Sequence, residues 1–253
     1  MKKKLVVMMV TLALTVSSVA CGSTKIEPAK NNNAVEADSS EAAPADETAE
    51  EATEEASEDA TTEASAEEDS NESISGSITG NTYENKYFNV KYTLGDNYRF
   101  ATEDEIKTLN SALGDLDAFK DNKAAKKALD DGAVMTVAYA MDSTKGKTLT
   151  VVIQSVNSIV GSLINEEAIL TAGKADVEKG LEAQGLSNVT SEVETVTFLG
   201  EEHPSLKITG TINGAVLNER MVCLVKGNYI ILFAASGLDN EFDSELLSAT
   251  TAE

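Results

Sequence analysis

The 253-residue chain holds two cysteines, one histidine, three prolines and no tryptophan. So few cysteines exclude a disulfide-stapled scaffold, and stability has to come from an apolar core. With His203 as the only histidine, a metal site would need ligands converging from elsewhere in the chain, and a catalytic triad would need a positioned nucleophile. Basic residues are scarce as well, 20 against 43 acidic ones for a net charge of −23. That imbalance argues against DNA, RNA or anionic lipid headgroups as partners, since those are bound through basic patches. No Gly-rich phosphate loop is present, and no acidic cluster has the spaced ligands and central glycine of an EF-hand. Long hydrophobic runs are missing too. The longest, residues 5–20, is 16 residues, short of the ~20 that a helix needs to cross a bilayer.

That run is informative by its flanks. Lys2, Lys3 and Lys4 precede it, and Ser17, Ser18, Val19 and Ala20 lead from it to Cys21. A basic start, a short apolar core and a small-residue end are the marks of a secretory signal rather than of folded structure. The ending Ser18-Val19-Ala20-Cys21-Gly22 resembles the lipobox of bacterial lipoproteins. The resemblance implies cleavage before Cys21 and a diacylglyceryl thioether on its sulfur. Two or more acyl chains give stable anchoring at ~0.8 kcal/mol per CH₂. The expectation is therefore an extracytoplasmic protein, lipid-anchored to the membrane of a bacterial envelope through Cys21.

Residues 22–75 carry 17 acidic residues against Lys25 and Lys30, with Pro28 and Pro44 and no aromatic residue. Low hydrophobicity with high net charge does not offset the entropy of ordering, so residues 21–75 are expected to form a disordered acidic linker. As a spacer it would have an r.m.s. span of roughly 40 Å. All 12 Phe and Tyr residues lie between Tyr83 and Phe242, and residues 76–253 are expected to form one folded domain.

Within the domain, Phe88, Val90, Tyr92 and Leu94 alternate with polar residues, the period of a half-buried strand, and Tyr98-Arg99-Phe100 reads as a second. Thr102 and Glu105 form a capping box ahead of Ile106, Leu109, Leu113 and Leu116, which are spaced for an amphipathic helix. Residues 117–131 suggest a second short helix, and 133–141 with 148–156 a strand pair. Asn165 is placed to cap a helix running to about Gln184, with Gly185 as its stop and a break expected near Gly173. Four strands follow as a meander. Residues 189–198 form the first, bounded by a turn over residues 199–204. Leu206, Ile208 and Ile212 face one side of the second. Asn213-Gly214 is the strongest hairpin signal, and residues 229–235 are apolar on both faces, as a central covered strand should be. A last helix is expected over residues 239–247, with Phe242 and Leu246 inward. The order describes an α+β fold, one antiparallel sheet with helices on both faces.

Tyr87-Phe88-Asn89-Val90, then residues 94–100 and the capped helix, resemble the opening of PsbP-like domains. Residues 193–200 and Lys226-Gly227-Asn228-Tyr229-Ile230 are similar to that family's closing meander. The resemblance covers about residues 83–248 and implies the family's α/β/α sandwich. Its best-known members are an extrinsic photosystem II subunit and a Ran-binding import factor, both binding proteins. What it implies here is a fold and a binding habit, with no binding residue carried over.

No catalytic constellation stands out. His203 reads as a turn residue before a strand, and Cys223 as a small buried hydrophobe on one strand face with Leu217, Met221 and Val225. The clusters Asp130-Asp131, Glu201-Glu202 and Asp239 to Asp243 read as solvated faces. The functional expectation is a non-catalytic lipoprotein, without cofactor or metal, whose domain binds a protein or other extracellular ligand. The alternatives are a hydrolase using carboxylates such as Glu201, Glu202 and Asp239 brought 5–10 Å apart by folding, and a small solute-binding component.

Overall fold

The computed structural model describes Ile26, residues 29–31, 74–114, 123–156 and 165–252. Four short strands, β1 (Lys30–Asn31), β2 (Ser77–Thr79), β3 (Thr82–Asn85) and β4 (Val90–Thr93), form a small sheet in that order. Strand β5 (Tyr98–Phe100) opens the main sheet. Helices α1 (Glu103–Gly114) and α2 (Lys123–Asp130) come next, then β6 (Val134–Asp142) and β7 (Lys147–Ser155). Helix α3 (Glu166–Ala183) leads into the meander β8 (Ser187–Phe198), β9 (Glu201–Ile212), β10 (Ala215–Lys226) and β11 (Tyr229–Gly237), and the one-turn helix α4 (Ser244–Leu247) follows. The main sheet has seven strands in the order β5-β6-β7-β11-β10-β9-β8, each neighbouring pair antiparallel.

Its two faces bury two separate cores. Ile106 of α1 and Ile169, Leu170, Val177 and Leu181 of α3 pack on Leu206, Ile208, Leu217, Met221 and Cys223. On the opposite face Ile78, Tyr83, Val90 and Tyr92 of the small sheet pack on Val151, Phe198, Ile231 and Phe233. Phe233 is the hub of that second core, with ring centroids 5.5 Å from both Tyr92 and Phe198. The expected α+β fold forms, with a second, small sheet where a single antiparallel sheet was expected, and helices lie on both faces, unequally. Helices α1, α2 and α3 cover one face. On the other, α4 contributes Leu246 and the small sheet does most of the covering.

Local chemistry explains the element ends. The Glu105 amide donates to Thr102 Oγ1 (3.3 Å) and the Thr102 amide to Glu105 Oε2 (2.9 Å), the expected reciprocal cap of α1. The Ala168 amide donates to Asn165 Oδ1 (2.8 Å), capping α3. Asn213 and Gly214 both have positive φ (51° and 81°), as a type I′ hairpin requires. Strand β11 lies between β7 and β10 and is buried along nearly all its length, as its apolar run implies.

Four details differ from the sequence reading. The turn expected over residues 199–204 is only Leu199-Gly200, both at positive φ (53° and 84°), so Glu201, Glu202, His203 and Pro204 already belong to β9. Helix α3 runs unbroken through Gly173. Gly173 and Gly180 are both buried, so packing against the sheet supplies what propensity withholds. The last helix is a single turn over Ser244–Leu247, although Phe242 and Leu246 are buried as expected.

The fourth difference concerns the linker. Ile26 and Ala29 are buried at 1% and 2% exposure, and β1 pairs in parallel with β2. The Ile26 amide donates to the Gly132 carbonyl (2.8 Å) and the Ala29 amide to that of Val137 (3.1 Å). Val137 stands where the β6–β7 register shifts between Thr136 and Ala138. Strand β5 pairs with only the far end of β6, at Ala140, Met141 and Asp142. The near end of β6 is therefore an open edge. Docking satisfies its carbonyls, with Asn110 bonding Thr136 through both amide atoms. At the other end of the linker, Ile74 and Ser75 are buried, and the Ile74 carbonyl accepts from Asn85 Nδ2 (2.7 Å). Residues 26–31 escape a periodicity reading because Ile26 and Ala29 are separated by Glu27 and Pro28. The expected signal at 1–20, Cys21 and residues 32–73 lie outside the described residues.

Candidate functional site

Among the described residues, a concave surface lies where α3 begins. Two adjoining hollows share Glu167 and Pro204. One, of about 400 Å³, is lined by Asn165, Glu166, Glu167, Pro204 and Val225. The other, of about 320 Å³, has Glu194, Glu202 and His203 among its walls. His203 donates from Nδ1 to Glu166 Oε2 (2.8 Å), and its ring meets the edge of Phe198 at 5.9 Å. Because the β8–β9 turn is so short, His203 and Glu202 are presented by a rigid strand, opposite Val196 and Thr197.

Cys223 lies behind this surface, buried, with Sγ 3.7 Å from the Glu166 carbonyl. Burial pushes its thiol well up, as suits a small buried hydrophobe rather than an activated thiol. It packs with Leu217 and Met221 on the α3 side of the sheet, where alternation placed it. Glu201 and Glu202 begin β9, but Asp239 belongs to the opposite end of the sheet. Its carbonyl accepts from Asn218 Nδ2, and Asn218 pairs with Thr209, roughly 23 Å along β9 from Glu202. The structure therefore does not bring Glu201 and Glu202 together with Asp239, the carboxylates named as examples for the hydrolase alternative, although Glu167, Glu194 and Glu202 share the walls of one hollow. Asp131 pairs with Lys127 one turn earlier on the chain. Among the described residues, no group of three or more His, Cys, Asp or Glu side chains is arranged to hold a metal ion.

The acidic run from Asp239 is solvated in part: Asp239, Asn240 and Glu241 are exposed, while Asp243 is half-buried and two inward cations hold the run. Lys147, only 2% exposed, donates to the Glu241 carbonyl (2.6 Å) and lies 3.5 Å from Asp239 and 3.8 Å from Glu245. Arg220 donates to Asp243 (2.6 Å) and Ser205 Oγ (2.9 Å) and pairs with Glu194 (2.5 Å). These two inward cations clamp the segment that carries α4. The signal was in the alternation: Lys147 stands in phase with Leu149, Val151 and Ile153, and Arg220 with Val222.

Two further features were not read from the sequence. Glu219 is buried in β10, and neither carboxylate oxygen has a hydrogen-bond partner. A small aromatic group sits at the β10–β11 turn. Tyr87 meets Tyr229 edge-on at 5.8 Å and donates to the Lys226 carbonyl (3.2 Å), while Lys226 Nζ lies 5.1 Å from the Tyr87 ring centre. Of the described aromatic residues these two tyrosines alone are not fully buried.

The geometry defines an α+β domain of two sheets with helices, and the hollows beside α3 are open ones. Among solved structures it is similar to the cyanobacterial PsbP (CyanoP) from Synechocystis sp. PCC 6803. That match has a TM-score of 0.41 and 13% identity over 68% of this chain and 91% of that one. It is also similar to LpqN, described as involved in cell envelope biogenesis of Mycobacterium tuberculosis, with a TM-score of 0.32 and 12% identity over 65% of this chain and 83% of that one. No protein-family model matches the chain, and no curated protein matches its sequence.

Proposed function

We propose that the protein is an extracytoplasmic lipoprotein, anchored through Cys21, whose domain binds a protein or another extracellular ligand without transforming it. The observation that carries the anchor is the sequence of residues 2–22, with its basic start, 16-residue apolar run and Ser18-Val19-Ala20-Cys21-Gly22 ending. Binding is favoured over hydrolysis because Glu201 and Glu202 stand far from Asp239, and because the Cys223 thiol is buried behind the hollows. The hollows beside α3 offer a ligand a rigid concave surface, and their Glu167, Glu194 and Glu202 side chains favour a partner with a cationic group.

One experiment reads both parts. The Cys21→Ser protein is expected to leave the membrane fraction and appear in the medium or periplasm, because the acylated sulfur is gone. Retention after a high-salt wash would sink the anchor. The released protein, used as bait on envelope extracts, is expected to enrich a partner. Enrichment of nothing at any salt concentration would count against the binding function.

A further inference from the structure

Ile26 is five residues beyond Cys21, with four residues between them. Its amide is bonded to Gly132 and its side chain is buried. Five residue steps span at most about 18 Å. A lipid on Cys21 would therefore hold the domain within that distance of the acyl chains, whatever the acidic stretch at 32–73 does.

The direction of the docked segment identifies the end that would be held. From Ile26 beside Gly132 the chain runs to Ala29 beside Val137 and then to Lys30 and Asn31 beside Ser77 and Ile78. It thus travels along β6 away from that strand's start, and Ile26, the described residue nearest Cys21 in sequence, lies at the end where β6 begins. At that end β7 finishes and β11 starts. Ser155 pairs with Tyr229 and its amide donates to the Ala133 carbonyl. Tyr229 is thus about 14 Å, three strand spacings, from the docked Ile26. Tyr87 and Lys226 are joined to it there.

We propose that this end of the domain, carrying Tyr87, Lys226 and Tyr229, lies against the bilayer, and that the leash of residues 22–25 keeps it there. The proposal rests on the lipid reading of Cys21. The chemistry of the end suits an interface. Tyrosine has an apolar ring and a polar tip, and a lysine stem can lie along apolar surface with its ammonium in water. Lys86, paired with Glu84 at 3.9 Å, adds a second exposed cation, while Asp130, Asp131, Glu201 and Glu202 lie near the same end. The charges are mixed, so the leash rather than attraction to anionic lipid sets the orientation, and zwitterionic vesicles suffice to test it.

The absence of tryptophan makes the test direct. Tyr229→Trp places a single reporter at the proposed contact. Leu238→Trp places one on an exposed residue just past the other end of β11, nine residues and about 30 Å away. Mature lipidated protein of each kind is reconstituted in phosphatidylcholine vesicles brominated in the upper acyl chain. Flotation with the vesicles reports the anchor, and quenching reports the orientation. The Tyr229→Trp protein is expected to lose most of its emission and the Leu238→Trp protein to keep it. An insertion of about 20 Gly and Ser residues after Gly22, with an r.m.s. span of roughly 25 Å, leaves the docked residues intact and should abolish the quenching. Protein that floats but is quenched at neither position, or equally at both, overturns the proposal. Quenching that survives the insertion overturns the leash as its cause. Protein that does not float overturns the lipid reading, and the orientation falls with it.

Discussion

Glu219 stands on the helical side of β10, between Leu217 and Met221 and level with Ile208 and Ser236 on the neighbouring strands. Burial without a partner pushes its carboxyl well above the usual value of 4.5. The folded state therefore favours the neutral acid, while the unfolded chain ionises freely. This group's contribution to stability is full below about pH 4.5 and is lost as the pH climbs toward the folded value. Glu219→Met, of similar shape and without charge, is expected to raise stability at neutral pH by about 1–3 kcal/mol. It should also remove part of the decline with pH. Denaturant midpoints measured from pH 4.5 to neutrality check this, and parallel profiles for the two proteins would sink it. Such residues were the hardest to read. Cys223 was legible because Met221 and Val225, two residues away on either side, are apolar. Glu219, Lys147 and Arg220 also sit in inward phase, but a charged residue there looks the same whether it is clamped, orphaned or on a solvated edge. Only the tertiary partners decide.

Helix α1 shows what an element's start contributes. Arg99 donates two bonds to the Glu105 carboxylate (2.7 and 3.0 Å), and the Thr102 amide adds a third. The guanidinium, first among these, holds the Glu105 carboxyl down at about 2. A lowered folded value means stability that is present above pH 4.5 and is lost as the pH falls from there to about 2. The pair is about half exposed, so screening limits its worth. Glu105→Gln is expected to cost roughly 1 kcal/mol at neutral pH and almost nothing at pH 2. Thermal midpoints at the two pH values test this, and an equal loss at both would show that the effect is packing. Caps and the Asn213-Gly214 hairpin were legible because each is a local bond pattern carried by a few adjacent residues. The turn after β8 was legible in place but not in length, since a leucine at positive φ announces nothing. Strands β2 and β3, three and four residues long, are too short for alternation to register.

At the scale of the molecule, the α+β class followed from the alternating strands and capped helices, but the second sheet and the docked N-terminal strand did not. Both depend on contacts between segments far apart in sequence, to which periodicity is blind. The consequence is a different architecture for the acidic region. Composition alone makes residues 22–75 a spacer that can be removed without effect on the domain. Docking of Ile26, Ala29 and β1 divides it into ten residues, 22–31, that lead into and join the domain and a 42-residue excursion, 32–73, with 16 acidic residues and no basic one. The two parts should respond oppositely to removal. Deleting residues 22–31 takes away the burial of Ile26 and Ala29, uncovers the β2 edge and strips the Gly132 and Val137 carbonyls of their partners. It is expected to lower stability by roughly 2–4 kcal/mol. Replacing residues 32–73 with about eight Gly and Ser residues keeps those contacts and shortens a loop whose ends are both fixed. Closure entropy then favours the shortened protein by roughly 1.5 kcal/mol, with a further gain from removing mutually repelling carboxylates. Urea midpoints of the mature protein and the two deletions measure both effects. If the 22–31 deletion matches the parent, the docked strand contributes nothing and the spacer reading returns. If shortening 32–73 destabilises the protein, the acidic excursion makes contacts of its own with the domain.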